Sequence, residues 1–167
     1  VHATEPLADA VVRIRDQVRD AAGALDPDQL AWQVRPGANH IGWLLWHLTR
    51  VEDAHVAEFL EEEQLYISEG WAEALSLAPD PHDSGYGHTP EQVAALRIED
   101  PTRLVAYQDA VAARTLALLD RLSDAALDEV IDESWDPPVT AGVRWISIVE
   151  DCFQHLGQIG YVRGLLP

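Results

Sequence analysis

Apolar residues recur every three or four positions through four long stretches of the chain, the pattern of helices that each bury one face. In the first, Val11, Ile14, Val18 and Ala22 share a stripe between Leu7 and Leu25, with Pro6 suited to a first helical turn and Thr4 or Glu5 near the cap. Asp26-Pro27 and Pro36-Gly37 bracket a connection. A second helix is predicted from His40 to Glu63, capped by Asn39, with Leu44, Leu48, Val51, His55 and Phe59 along its stripe. From Gln64 to Asp100 the periodicity is broken by Gly70, Pro79, Pro81, Gly85, Gly87 and Pro90, leaving short helices at Trp71–Leu77 and Pro90–Leu96. A third long helix opens at Asp100-Pro101 and runs to Leu122, with Leu104, Tyr107, Val111, Leu118 and Leu122 near one face. Trp135 and Pro137-Pro138 interrupt regular structure before a last helix from Ala141 to Leu165. Glu129–Ile131 is the one stretch that reads as extended, and it stands alone. Four helices of about 20 residues are each about 30 Å long, the proportions of an all-α four-helix bundle. The bundle is expected to fill residues 1–167 as a single domain, with a long crossover between its second and third helices.

Charge narrows the function. Eleven basic residues, all arginine, stand against 29 acidic ones, a net charge of −18. That field repels nucleic-acid phosphates and anionic lipid headgroups, so neither nucleic acid nor membrane is an expected partner. With 47% hydrophobic residues the acidity belongs to a folded surface. The single cysteine, Cys152, has no internal disulfide partner, and the first residues lack a signal-peptide pattern, which fits a reducing cytoplasm. The longest apolar run is broken by His47, Thr49 and Arg50, short of a membrane span.

The candidate chemistry lies in histidines. Asp151 and His155, at i and i+4, leave one face of the last helix and can chelate a divalent ion. A third ligand must come from another helix, and His47 is the best placed, with His40 and His55 in reserve about 10 Å away along the helix axis. Periodicity alone fits solvent exposure of the Asp151–His155 face as well as a wet cavity. Arg144 stands two turns before Asp151 on the same face, placed either to hold the carboxylate or other anion of a cosubstrate at the pocket rim or to be a solvated arginine at a helix start. Cys152 points about 100° away from Asp151 around the helix, on a mostly apolar arc, and is expected to be packed and inert. Trp43 and Trp46 read as packing residues. Glu52, His55 and Glu150 are the available general bases for a hydrolytic alternative, none of them compelling.

The stretches PGANHIGWLLWHLTRVED and DCFQHLGQIGYVRG resemble the DinB-like superfamily, near its mycothiol-dependent maleylpyruvate isomerase and thiol transferase branch. The resemblance spans nearly all four helices and implicates His47 and His155 as metal ligands. Asp151 departs from it, since many members carry histidine there and the mycothiol-dependent branch usually carries glutamate. A shorter carboxylate still reaches a metal shared with an i+4 histidine, while shifting where that metal sits. The resemblance implies a divalent metal, zinc foremost with nickel or iron as other fits, that activates a small thiol, mycothiol, for transfer to or isomerisation of an electrophilic small molecule. It also implies a homodimer. The competing readings are a non-catalytic metal-binding or scaffold bundle and a metal-dependent hydrolase.

Overall fold

The computed structural model describes residues 2–167. Its framework is four long helices: α1 (Thr4–Gly23), α3 (Ile41–Leu60), α7 (Pro101–Leu119) and α8 (Ala141–Arg163). Between them lie α2 (Pro27–Ala31), the crossover helices α4 (Leu65–Ser68), α5 (Trp71–Ala74) and α6 (Pro90–Ala95), and a 3₁₀ turn at Asp124–Asp128. Helices α1 and α3 each pack against both α7 and α8, the arrangement of a four-helix bundle. The predicted stripes face inward. Ile14, Val18, Leu44, Leu48, Tyr107 and Val111 share one core cluster with Leu156 and Ile159. Leu7, Val11, Val56, Leu118, Trp145 and Ile148 form a second, with Phe59 stacked on Trp145 at 4.9 Å. No described helix is long and apolar enough to cross a membrane.

Several boundaries differ from the sequence reading for local reasons. Helix α1 starts at Thr4 because Ala3 is tied by its amide to Asp124 Oδ1 (2.9 Å), so an outside partner replaces a side-chain cap. Within the predicted connection, Asp26 forms a capping box with Gln29 and starts α2. Helix α3 is capped by His40, not Asn39. His40 Nδ1 accepts from the Trp43 amide (3.1 Å), while Nε2 bonds the Val93 carbonyl (2.9 Å). Its C-terminus comes early because Glu61 turns left-handed at φ 53° and the Glu62 amide returns to the Ala57 carbonyl. The extended stretch is not alone either. The chain reverses after it, so that β1 (Val130–Asp132) pairs antiparallel with β2 (Val139–Thr140), and Thr140 then caps α8.

Candidate metal centre

His47 lies near the middle of α3, 6% exposed, and Asp151 and His155 lie one turn apart on α8, which packs against it. One ligand atom from each of the three comes within 4.8 Å of the others. The polar partners of these residues decide which atoms those can be. His47 Nδ1 sits 2.5 Å from the Ser84 carbonyl, which can only accept, so Nδ1 carries the proton and Nε2 keeps its lone pair. His155 Nδ1 is 3.0 Å from Gln158 Oε1, which orients its ring in the same way, and His155 Nε2 lies 3.5 Å from Asp151 Oδ1. Asp151 Oδ2 is buried and has no hydrogen-bond partner among the described residues. Two imidazole nitrogens and a carboxylate with an orphaned oxygen are a donor set suited to zinc, nickel or iron(II), and the second bond on each histidine is the usual device for fixing a ligand ring.

The electrostatics favour the ligand form of His47 and Asp151 and oppose it at His155. Burial lowers the His47 pKa more than the Ser84 carbonyl raises it, which favours the neutral ring a metal requires. Burial would lower His155 too, but hydrogen bonds to Asp151 and Gln158 outweigh it and hold that ring's pKa up. Burial pushes Asp151 upward, yet the neighbouring His155, His47 and His55 keep its carboxyl below the usual range.

A cavity of about 340 Å³ opens over these residues, lined also by Asn39, Trp43, Gly85, Tyr86, Gly87 and His88. Trp43 stacks flat on His47 (4.7 Å, 12°), and the His155 ring meets His47 edge-on at 4.7 Å. The far wall is the crossover. His88 Nδ1 accepts from Trp43 Nε1 (3.1 Å), and its Nε2 donates to Asp83 Oδ1 (2.8 Å), which also accepts from the Gly85 amide. Ser84, Gly85 and His88 were missed in the sequence because they lie among the residues that break periodicity. The cluster Asp83-Ser84-Gly85-Tyr86-Gly87-His88, a histidine beside two glycines in a non-helical tract, is the signal that could have marked them.

Other sequence candidates lie elsewhere. His40 is 1% exposed and engaged on both ring nitrogens, which leaves no lone pair for a metal. His55 lies outside the three-residue cluster and pairs with Glu58 at 3.4 Å. Arg144 is held by Asp132 of β1 (3.2 Å) and does not line the metal cavity, so it ties the hairpin to α8. Of the two placements the sequence left open, neither the pocket rim nor free solvent holds: the strand β1 captures it. Glu52 is buried under Gln108 and Thr115, Glu150 is exposed, and neither lines the cavity. Cys152 is fully buried against the Leu48 carbonyl (3.8 Å), and burial pushes its thiol well above its ordinary pKa.

A crystal structure of a conserved protein from Enterococcus faecalis is similar to this chain, at 28% identity and a TM-score of 0.88, covering 98% of this chain and 96% of that one. No curated protein matches. The sequence profile of the DinB superfamily matches residues 10–159, spanning the metal-ligand candidates on both α3 and α8, and the chain belongs to that superfamily.

Proposed function

We propose that this chain is a divalent-metal enzyme that activates a low-molecular-weight thiol, with mycothiol the thiol its resemblance implies, for transfer to or isomerisation of an electrophilic small molecule. The observation that carries the reading is the trio His47, Asp151 and His155 at the base of a cavity, with both Nδ1 atoms engaged and Asp151 Oδ2 unpartnered. His47, Asp151 and His155 would hold the metal, zinc being the first choice, and it would supply Lewis acidity that lowers the pKa of a bound thiol. The chain's own residues do the rest. Ser84 and Gln158 fix the histidine rings, Trp43 shields one face of His47, and Tyr86 stands at the mouth, 94% exposed between two glycines. The external thiol is needed because the chain's one cysteine is buried with its proton held tightly. As the S–H bond breaks and its proton leaves to water, the sulfur's electron pair forms the new bond and the electrophile's π bond or leaving-group bond takes up the displaced pair; in an isomerisation the sulfur departs again as the π bond re-forms.

Cobalt substitution tests this. A thiol added to cobalt-loaded protein should produce a sulfur-to-metal charge-transfer band, unchanged in Cys152→Ala. Bound cobalt with no band at saturating thiol refutes thiol activation and favours the hydrolytic or scaffold reading. A band lost only in Cys152→Ala makes the protein's own sulfur the ligand.

A further inference from the structure

Resting on the reading that a thiol reaches the metal, we infer that the groove between residues 34–39 and α8 seats the tail of that thiol and that this tail carries a carboxylate bound by Arg35. The groove, about 670 Å³, is lined by Arg35, Asn39, Gln154, Gly157, Gln158 and Tyr161 among others. It adjoins the metal cavity twice over. Asn39 lines both, and Gln158 in the groove holds the His155 ring. A ligand with its sulfur in the metal cavity therefore meets this groove first as it extends away from the mouth along α8.

Charge identifies the tail. Nine of the 11 arginines lie within 4.0 Å of a carboxylate: Arg13, Arg15, Arg19, Arg50, Arg97, Arg103, Arg114, Arg144 and Arg163. Of the other two, Arg121 donates to the Ala117 carbonyl (3.1 Å), and Arg35 makes one marginal contact, 3.5 Å to the Pro36 carbonyl. With 29 carboxylates on the chain, a guanidinium left without one among the described residues, at the wall of a groove, is a free anion receptor. Residues 34–39 also lead into α3, whose positive N-terminal end favours negative charge nearby. Among the residues lining the groove Arg35 is the one that carries a charge, so on a chain of net charge −18 it is where the groove attracts a carboxylate.

Size and polarity fix the rest of the tail. Gln154 to Tyr161 spans about 10 Å along α8, about the length of three extended residues. Asn39 and the amide N–H groups of Gln158 have no intramolecular acceptor among the described residues and can bond a peptide-like amide. A Cβ built on Gly157 meets nothing within 4 Å, so the helix backbone is bare under the tail. The groove thus fits a short peptide-like acid, which the titration below sets in place of the mycothiol that the resemblance alone implies.

Cobalt-loaded protein titrated with three thiols tests the assignment: glutathione, its diethyl ester with both carboxylates masked, and tail-less 2-mercaptoethanol. Glutathione should saturate the charge-transfer band at roughly fivefold lower concentration than the ester, and Arg35→Ala should erase that advantage. Gly157→Leu has room for its side chain and gains helix propensity, so it folds. It should remove the advantage of glutathione over 2-mercaptoethanol and leave the 2-mercaptoethanol curve unmoved. Equal curves for glutathione and its ester, or glutathione curves unchanged in both variants, overturn the groove assignment while a 2-mercaptoethanol band keeps the metal–thiol reading. Absence of a band with every thiol overturns both.

Discussion

Replacing Gly85 by alanine probes how tightly the crossover is fitted to the metal site. Gly85 sits at φ +90°, and a Cβ there would lie 2.8 Å from Trp43 Cζ2 and 2.9 Å from Trp46 Cζ3. Both indoles are almost wholly buried, at 5% and 1% exposed, so neither can move aside without disturbing the core. Gly87, two residues on, supplies the control, since it has a similar φ of +77° but nothing within 4 Å of its Cβ position. Alanine at either site bears the backbone cost of a left-handed conformation, about 1–2 kcal/mol. Only Gly85→Ala adds the overpacking term, about 1–3 kcal/mol. At roughly 2–4 °C per kcal/mol for a chain of this size, Gly85→Ala should melt about 2–12 °C below Gly87→Ala. The comparison is made by thermal unfolding in chelator, because bound metal would itself raise the Tm. Moving Trp43 also moves the ring stacked on His47 and the Ser84 carbonyl beside it, so metal affinity should fall roughly 10- to 100-fold in Gly85→Ala. Equal melting points for the two variants would refute the claim that these indoles are rigid walls.

Four further outcomes are expected. Metal analysis should find one divalent ion per chain and none in His155→Ala, whereas full occupancy in that variant would put the site elsewhere. Affinity measured by competition with a chelator should fall as pH drops from about 7.5 to 5, because the metal must displace the proton that Asp151 and Gln158 help His155 retain; a flat profile contradicts histidine ligation. The same shift stabilises the apo-protein below the ordinary histidine pKa, and that contribution is lost as pH rises through the raised folded value, so His155→Gln should remove it. Burial also raises the Glu52 carboxyl despite hydrogen bonds from Gln108 and Thr115, so the folded state holds its proton longer than the unfolded chain and stability falls as pH rises through that interval. Glu52→Gln cannot titrate, and Thr115 can still donate to the Val111 carbonyl, so urea unfolding should show the variant gaining on the parent as pH rises above the ordinary glutamate value of about 4.3. A constant difference would mean that burial does not raise the Glu52 carboxyl.

The four long helices were legible because their inward stripes keep helical spacing and because proline and glycine punctuate their ends. What was not legible depends on partners far along the chain. His40 became the cap of α3 because its other ring nitrogen reaches Val93, 53 residues on. The lone extended stretch became a hairpin because the proline-containing turn returns Val139 and Thr140 to it. The site divides in the same way. Asp151 and His155 are visible in one helical turn, and His47 stands on the stripe of the facing helix. Ser84, which fixes the His47 tautomer from 37 residues away, leaves no periodic trace. Arg144 shows what a helical wheel leaves open. Its wheel position fits a rim anion-holder as well as a solvated arginine, and only the hairpin that brings up Asp132 ties it to a carboxylate of the chain itself.

The same helix that presents His47 also holds in place the segment that orients it. Arg50, one turn after His47 and 0% exposed, donates to three crossover carbonyls, Asp83 (3.2 Å), Pro81 (3.1 Å) and Asp80 (3.4 Å), and to Gln64 Oε1 (2.7 Å). Its guanidinium lies 3.9 Å over the Tyr66 ring. Asp53, 3.7 Å away, accepts from the amides of Leu65 and Tyr66 and from the Tyr107 hydroxyl. Two charges buried together gain little from each other once desolvation is counted, and breaking such a pair costs about 3–5 kcal/mol because a lone charge is left behind. Their value here is positional. Arg50 fixes the carbonyl of Asp83, the next residue is Ser84, and the Ser84 carbonyl is what gives His47 a free Nε2. Ligand, anchor and second anchor thus fall within seven residues of α3, and they hold the crossover against it up to its tip. There Gly85 and Gly87 take left-handed conformations and Tyr86 is exposed to whatever enters the cavity.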